Sequence, residues 1–421
     1  MTRAWGALVA GALSTAALAQ PLTLDEALAT ASSPHPALRV SQSELAIAEA
    51  DRELAGSRRD FSLSLDGALR SGRSRDTDWR ADHVGRVVAR KPLLDFGRTR
   101  GTIAAAEHEI AARQALLVST ENQRRLDVMA RFFDVLVADL QYAADNEFMA
   151  VAYVSWDNAR DRAELGQLSQ PEMLRLEADY QDIRERRNAS QQRMQATRQR
   201  LAHAMHRPQQ LPAELVDPAL PGNDRPAPAY EALGACVAEH NPRMQALQAQ
   251  VRAAESRIGA IRAERGPQLD AEVIGARYSR ELATRDELSA GLVFNIPLYQ
   301  GERVDARVAR EWAAKERAAA ELEEARLELA DTLLATVQEI EWLRGSARGA
   351  AEKQIEYRDW ALERSRAEYE LELRTNLGTS MAETQMAQLR RKQVEYRLAL
   401  AWARLEALCG GKLPQLEGVQ Q

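Results

Sequence analysis

Leu126, Met129, Phe133, Leu136 and Leu140 follow one another at intervals of 3, 4, 3 and 4 residues. That spacing holds one apolar seam of a helix against a partner helix. The same seam returns as Leu333, Thr336, Ile340 and Leu343, each displaced by 207 positions. A chain of 421 residues that repeats itself at this distance reads as a tandem duplication, which constrains the fold before any site is considered. Other landmarks keep a similar offset. Asn241-Pro242 echoes His35-Pro36, the alternating stretch 269–278 echoes 61–70, and the polar stretch 279–286 echoes 71–79. Pro297-Leu298-Tyr299-Gln300-Gly301 stands where Pro92-Leu93-Leu94-Asp95-Phe96-Gly97 stood.

Charged residues at 28% and aromatics at 5% suit long helices with narrow seams better than a compact aromatic core. A net charge of −6 argues against a general nucleic-acid binder, because neutralising phosphates needs a basic surface. Residues 1–19 read as a signal peptide: Arg3, an apolar run from Ala4 to Leu18, and Ala17-Leu18-Ala19 before Gln20. Export into a bacterial periplasm follows, and a residue other than Cys after the cleavage site speaks against a lipid anchor. Cys236 and Cys409 are open to two readings. They pair across the ends of the second repeat, or they are two small buried thiols, which is the favoured reading.

The first repeat is placed at 20–207. Thr23 and Glu26 form a capping box for a helix reaching about residue 57, with a bend at Pro34 and Pro36. Strands follow at about 61–70 and 80–92, separated by a polar loop at 71–79, then a long helix at about 98–163 and a return helix at about 171–206. At 1.5 Å per residue the long helix is a rod of roughly 100 Å, which must lie along something equally long. Two shorter helices end to end match it. Prolines at 208, 212, 218, 221, 226 and 228 make 208–228 an equatorial linker. The second repeat, 229–411, has strands at about 269–278 and 287–297, a long helix at about 302–372 and a return helix at about 379–408, before a tail at 412–421.

In the first strand Phe61, Leu63, Leu65, Gly67 and Leu69 alternate with Ser62, Ser64, Asp66, Ala68 and Arg70. A strand of about ten residues is the length that crosses a bilayer. No run of about 20 apolar residues occurs outside the signal, so the strands are the candidate membrane element. Four strands cannot close a barrel within one chain, and lipid leaves an open edge unsatisfied. Strands that span a membrane therefore make this chain an obligate oligomer, with Ser62, Ser64 and Asp66 toward water.

The duplicated strand-pair and helical-hairpin layout, the PLLDFGRTR and PLYQGERVDAR strand-to-helix junctions around Pro92, Gly97, Pro297 and Gly301, and the Leu165-Gly166-Gln167-Leu168-Ser169 turn resemble the TolC-like outer-membrane efflux proteins. The resemblance covers about residues 22–411. It implies a mainly α fold with membrane β: a homotrimer with a twelve-stranded barrel in outer-membrane lipid and an α-helical periplasmic tunnel. A periplasmic adaptor (membrane fusion protein) and an inner-membrane transporter complete the assembly. The implied function is passive conduction, as the exit duct of a tripartite efflux pump or a type I secretion system, with no cofactor.

The helix turns around Gly166, Gln167 and Ser169, and around Arg374 and Asn376, are the implied closable entrance and adaptor contact. Carried over by position, the acidic places that line the entrance in relatives fall on Ser380 and Glu383, and Glu383 alone keeps the charge. Arg374 stands where relatives favour Gly, and Asn376 where some have a gate Arg.

Other candidates read as structural. His203 and His206 lie three apart at a helix end without a carboxylate or Cys at ligand spacing, so dipole interaction explains them better than a metal. The runs Arg184-Glu185-Arg186-Arg187 and Arg390-Arg391-Lys392 read as solvated or as pairs four apart on a helix. No P-loop, nucleophile elbow or dinucleotide fingerprint occurs, so no enzyme activity is expected. The rival from another class is a periplasmic coiled-coil adaptor or scaffold, which usually carries one hairpin where this chain has two.

Overall fold

A computed structural model describes residues 21–74, 77–280, 285–371, 377–411 and 413. The signal at 1–19, most of the tail at 412–421, and the tip residues Arg374 and Asn376 lie outside the described residues. The chain is mainly helical and divides into two compact units. Of the described residues, one comprises those within 21–33, 125–224 and 344–400, the other those within 34–124, 225–343 and 401–413. Each unit draws on both sequence repeats.

Helix α1 (Leu24–Ala29) opens on the capping box: the Glu26 N–H donates to Thr23 Oγ1, and the Thr23 N–H donates to Glu26 Oε2 at 3.0 Å. A 3₁₀ turn at Thr30–Ser32 ends it, and α2 (Pro36–Ser57) starts afresh. The stretch from 23 to 57 is thus two helices rather than one bent helix. Pro36 cannot continue a helix, but its missing N–H costs nothing at a helix start, and His35 Nδ1 caps the new end by accepting from the Ala37 N–H at 3.1 Å. The second repeat breaks at the same place. Between α5 (Tyr230–His240) and α6 (Pro242–Arg262), Asn241 Oδ1 accepts from the N–H groups of Arg243 and Met244.

The second-named unit carries the strands β1 (Ser62–Ala68), β2 (Ser71–Ser74), β3 (Thr77–Ala81), β4 (Val84–Leu94), β5 (Gln268–Tyr278) and β6 (Leu288–Asn295). Four form one antiparallel sheet in the order β1-β4-β5-β6, so β4 and β5 join the two repeats and β1 and β6 are its edges. The stretch 71–79 is not a plain loop. Ser71 pairs with Ala81 and Gly72 with Arg80 in a separate β2–β3 hairpin, held by backbone bonds that need no apolar alternation.

Helix α3 (Arg98–Glu164) turns into α4 (Gln170–Ala204). In the second repeat α7 (Arg303–Trp342) passes through a π turn at Leu343–Ala347 into α8 (Arg348–Glu370), and α9 (Leu377–Leu408) follows. The expected single helix of 302–372 is therefore interrupted.

The first-named unit packs Val128, Phe132, Phe133, Val135 and Leu136 against Leu201, Tyr396 and Ala399. Phe133 stacks on Tyr396 with ring centroids 4.6 Å apart. Val128, Phe132 and Val135 flank the expected seam, so this part of α3 buries a face wider than one seam. In the other unit Leu333, Thr336, Ile340 and Leu343 are all buried.

Candidate functional site

Residues directly opposite in an antiparallel ladder point to the same side of the sheet. The register therefore sorts the side chains into two faces. One carries the rows Leu63–Ala89–Val273–Ala290 and Leu65–Val87–Gly275–Leu288, with Leu292 and Phe294 nearby. The other carries Ser62–Arg90–Glu272–Gly291 and Ser64–Val88–Ile274–Ser289, with Asp66 opposite Arg86. Arg90 pairs with Glu272 on that second face. Among the described residues these apolar side chains are left exposed: Leu65 is 79% exposed and Leu288 73%. At the hairpin end, Asp82 accepts from Arg285 at 2.7 Å and from Arg70 at 2.9 Å, tying the two strand pairs together.

The junction residues lie at the other end of the strands. Pro92 sits beside a register shift in the β4–β5 ladder, where a missing donor is tolerated. Gly97, at φ +97°, adopts a conformation that L side chains rarely take, and Asp95 Oδ2 accepts from the Thr99 N–H at 2.7 Å to start α3. Gly301, at φ +63°, fills the matching place after Pro297.

In the other unit Gly166, Gln167 and Ser169 are exposed at the turn between α3 and α4. Gly166 takes φ +70°, and the Gln167 N–H reaches back to the Arg162 carbonyl at 2.8 Å, an αL helix ending. Ser169 begins α4 with Pro171 in its first turn. Ser380 and Glu383 stand near the start of α9, and both are engaged. Ser380 Oγ lies 2.6 Å from Ser365 Oγ, and Glu383 accepts from Arg358. With Gln141, Phe148 and Arg390 the Arg358–Glu383 pair lines a cleft of about 470 Å³. The sequence reading missed Arg358, because nothing at helical spacing announces a partner 25 positions away.

The basic runs are largely solvated, with Arg184, Arg186, Arg390 and Arg391 exposed, and Arg187 donates to Gln191 four positions on, yet some members also tie elements together. Arg186 pairs with Asp145 at 3.0 Å, and Arg187 donates to Tyr142 Oη at 2.9 Å. Lys392 pairs with Asp217 of the linker. The linker carries further ties: Asp217 Oδ1 accepts from Tyr396 Oη at 2.7 Å, Asn223 donates to Glu395, and Arg348 bridges Glu395 and Asp224 at 2.7 Å each. The Arg348 guanidinium holds the Glu395 carboxyl below the usual carboxylate range; burial opposes the shift and Asn223 adds to it. Gln199 lies 2.8 Å from His203 Nε2, and among the described residues no group of three metal-ligating side chains gathers. No helix of the described residues is long and apolar enough to cross a membrane.

A profile of the family described as Outer membrane efflux protein matches residues 236–411. The outer membrane protein VceC from Vibrio cholerae has a TM-score of 0.72 to this chain at 17% identity, over 93% of this chain and 97% of that one. The chain has a TolC-like outer-membrane channel fold. The outer membrane channel CmeC of Campylobacter jejuni gives a TM-score of 0.72 at 13% identity, over 94% and 87%. By sequence, the chain is 23% identical over 305 residues to the outer membrane efflux protein BepC of Brucella suis. That stretch is 72% of this chain and 66% of that relative, just short of two thirds of its length. The resemblance drawn from the junctions and the duplicated layout is borne out.

Proposed function

We propose that the protein is the exit duct of a tripartite efflux pump or a type I secretion system, a passive channel in the bacterial outer membrane with a large periplasmic helical portion. The observation that carries this reading is the sheet, which has one exposed and mainly apolar face, a second face that mixes Ser62, Ser64, Asp66, Arg90 and Glu272 with Val88 and Ile274, and the edge strands β1 and β6. Lipid tolerates the apolar face but cannot satisfy the edge N–H and C=O groups, so copies of the chain must pair β6 of one protomer with β1 of the next. Three protomers at four strands each make a twelve-stranded barrel, wide enough to leave water inside, lined by Ser62, Ser64, Asp66 and Arg90. The turn at Gly166, Gln167 and Ser169, with Arg374 and Asn376, meets a periplasmic adaptor. Ser380 and Glu383 line the closable entrance, and energy comes from an inner-membrane transporter.

Membrane fractionation with semi-native electrophoresis tests the reading. The expected result is recovery in the outer membrane as a trimer that dissociates on heating, with stepwise conductance after reconstitution in a planar bilayer. Recovery in the soluble periplasm as a monomer would support the adaptor reading and sink the duct.

A further inference from the structure

Cys236 and Cys409 are the two cysteines of the chain, and the fold brings them together from 173 positions apart. Neither is bridged in this structure, and the two thiols share a hydrogen bond. Their approach is enforced by the backbone around them. Asn241 Nδ2 donates to the Leu408 carbonyl at 3.0 Å. A Cβ on Gly410 would lie 2.5 Å from the His240 carbonyl oxygen, so the end of α9 can close on the end of α5 only with glycine there. These contacts fix Cys409 from both sides, between residues 408 and 410. Cys236 stands one turn before His240 on the same face of α5, near enough for its side chain to act on the Cys409 thiol.

We propose that Cys236 and Cys409 form a redox site, in which an external disulfide oxidises the pair to an intramolecular bridge locking α5 to the end of α9. The two thiols divide the work by exposure. Cys236 is half-buried and open to a reagent, whereas Cys409 is 1% exposed. Burial, and then the hydrogen bond with Cys236, pushes the Cys409 thiol up, so it stays protonated toward solvent and reacts only with its neighbour.

In the first step the Cys236 thiolate attacks one sulfur of R–S–S–R, forming Cys236–S–S–R. The first RS⁻ leaves and takes a proton as RSH. In the second step the Cys409 sulfur attacks Cys236 Sγ while its proton passes to the departing RS⁻, which leaves as RSH. Two protein thiols are oxidised by two electrons, and one external disulfide is reduced to two thiols. With no third cysteine in the chain, no rearranged intramolecular pair competes.

The test uses the full-length protein in detergent, reduced, desalted and exposed to oxidised glutathione, then quenched in acid, denatured and labelled with a polyethylene glycol maleimide. Two labels before oxidation, none after it, a mass lower by two hydrogens and recovery of both labels with dithiothreitol are expected. Cys409→Ser should accumulate one stable glutathione adduct, and Cys236→Ser should react at least about tenfold more slowly, as its remaining thiol is shielded. Two labels persisting in the oxidised wild type, a bridge between chains on a non-reducing gel, or equal rates for the two variants would overturn the proposal. Wild-type labelling decides even if a serine variant fails to fold. Conductance is a separate readout, so failure here leaves the duct reading standing.

Discussion

Phe133 belongs to the seam that repeats along the chain, but its partner is Tyr396, 263 positions away (396 − 133) and stacked nearly parallel on it. Removing a buried ring takes away both its transfer energy and its neighbours' contacts, so Phe133→Ala should cost about 3–5 kcal/mol. Denaturant unfolding of the solubilised protein checks this, with Phe133→Leu expected to cost clearly less. Glu395 supplies a pH handle of known sign. Its carboxyl is depressed in the fold, so its contribution is present above the unfolded value of about 4.3 and is lost as pH falls through the lower folded value. Hydrogen exchange across 217–224 should therefore rise in wild type below about pH 4, and Glu395→Gln should flatten that dependence at a higher baseline. Neither Tyr396 nor Glu395 stood out in the sequence. Their partners Asp217 and Asn223 lie 179 and 172 positions away, beyond any local periodicity.

Among elements, those set by local rules were the most legible. The capping box at Thr23 and the glycine turns at Gly97 and Gly166 each follow from steric and hydrogen-bonding rules within a few residues, whereas the cap-and-proline start at His35 was read as a bend in one helix. The β2–β3 hairpin was missed, because strands paired in their own two-stranded sheet need no core-facing alternation. The linker's prolines announced a break in the helix, but not that the broken segment is pinned through Asp217, Asn223 and Asp224. The sheet separates its faces by register, so one position distinguishes them. Leu65→Lys, if at mid-bilayer depth, should cost about 2–4 kcal/mol of membrane stability and deplete the heat-sensitive trimer, whereas Ser64→Lys on the opposite face should leave it assembled. Semi-native electrophoresis of the two variants side by side makes the comparison.

For the whole molecule the prediction falls on the engaged pair Arg358–Glu383, which lines the cleft near the start of α9. If the pair lines the conducting path, Glu383→Gln leaves an unpaired guanidinium there and should shift ion preference toward anions, and Arg358→Gln should shift it toward cations. Reversal potentials across a salt gradient in a planar bilayer measure both. Identical potentials for both variants and wild type would remove the pair from the lining.

The sequence by itself determined the duplication, the helical hairpins, the strand pairs and the amphipathic character of β1, because helical and strand periods and turn chemistry act over a few residues. Only the tertiary structure decided that β4 pairs with β5 to merge two hairpins into one sheet, that the linker docks on α9, that Glu383 meets Arg358, and that Cys236 faces Cys409. Each is a contact between residues far apart in the chain, where the choice of partner depends on which surfaces packing brings together and leaves no periodic trace to read.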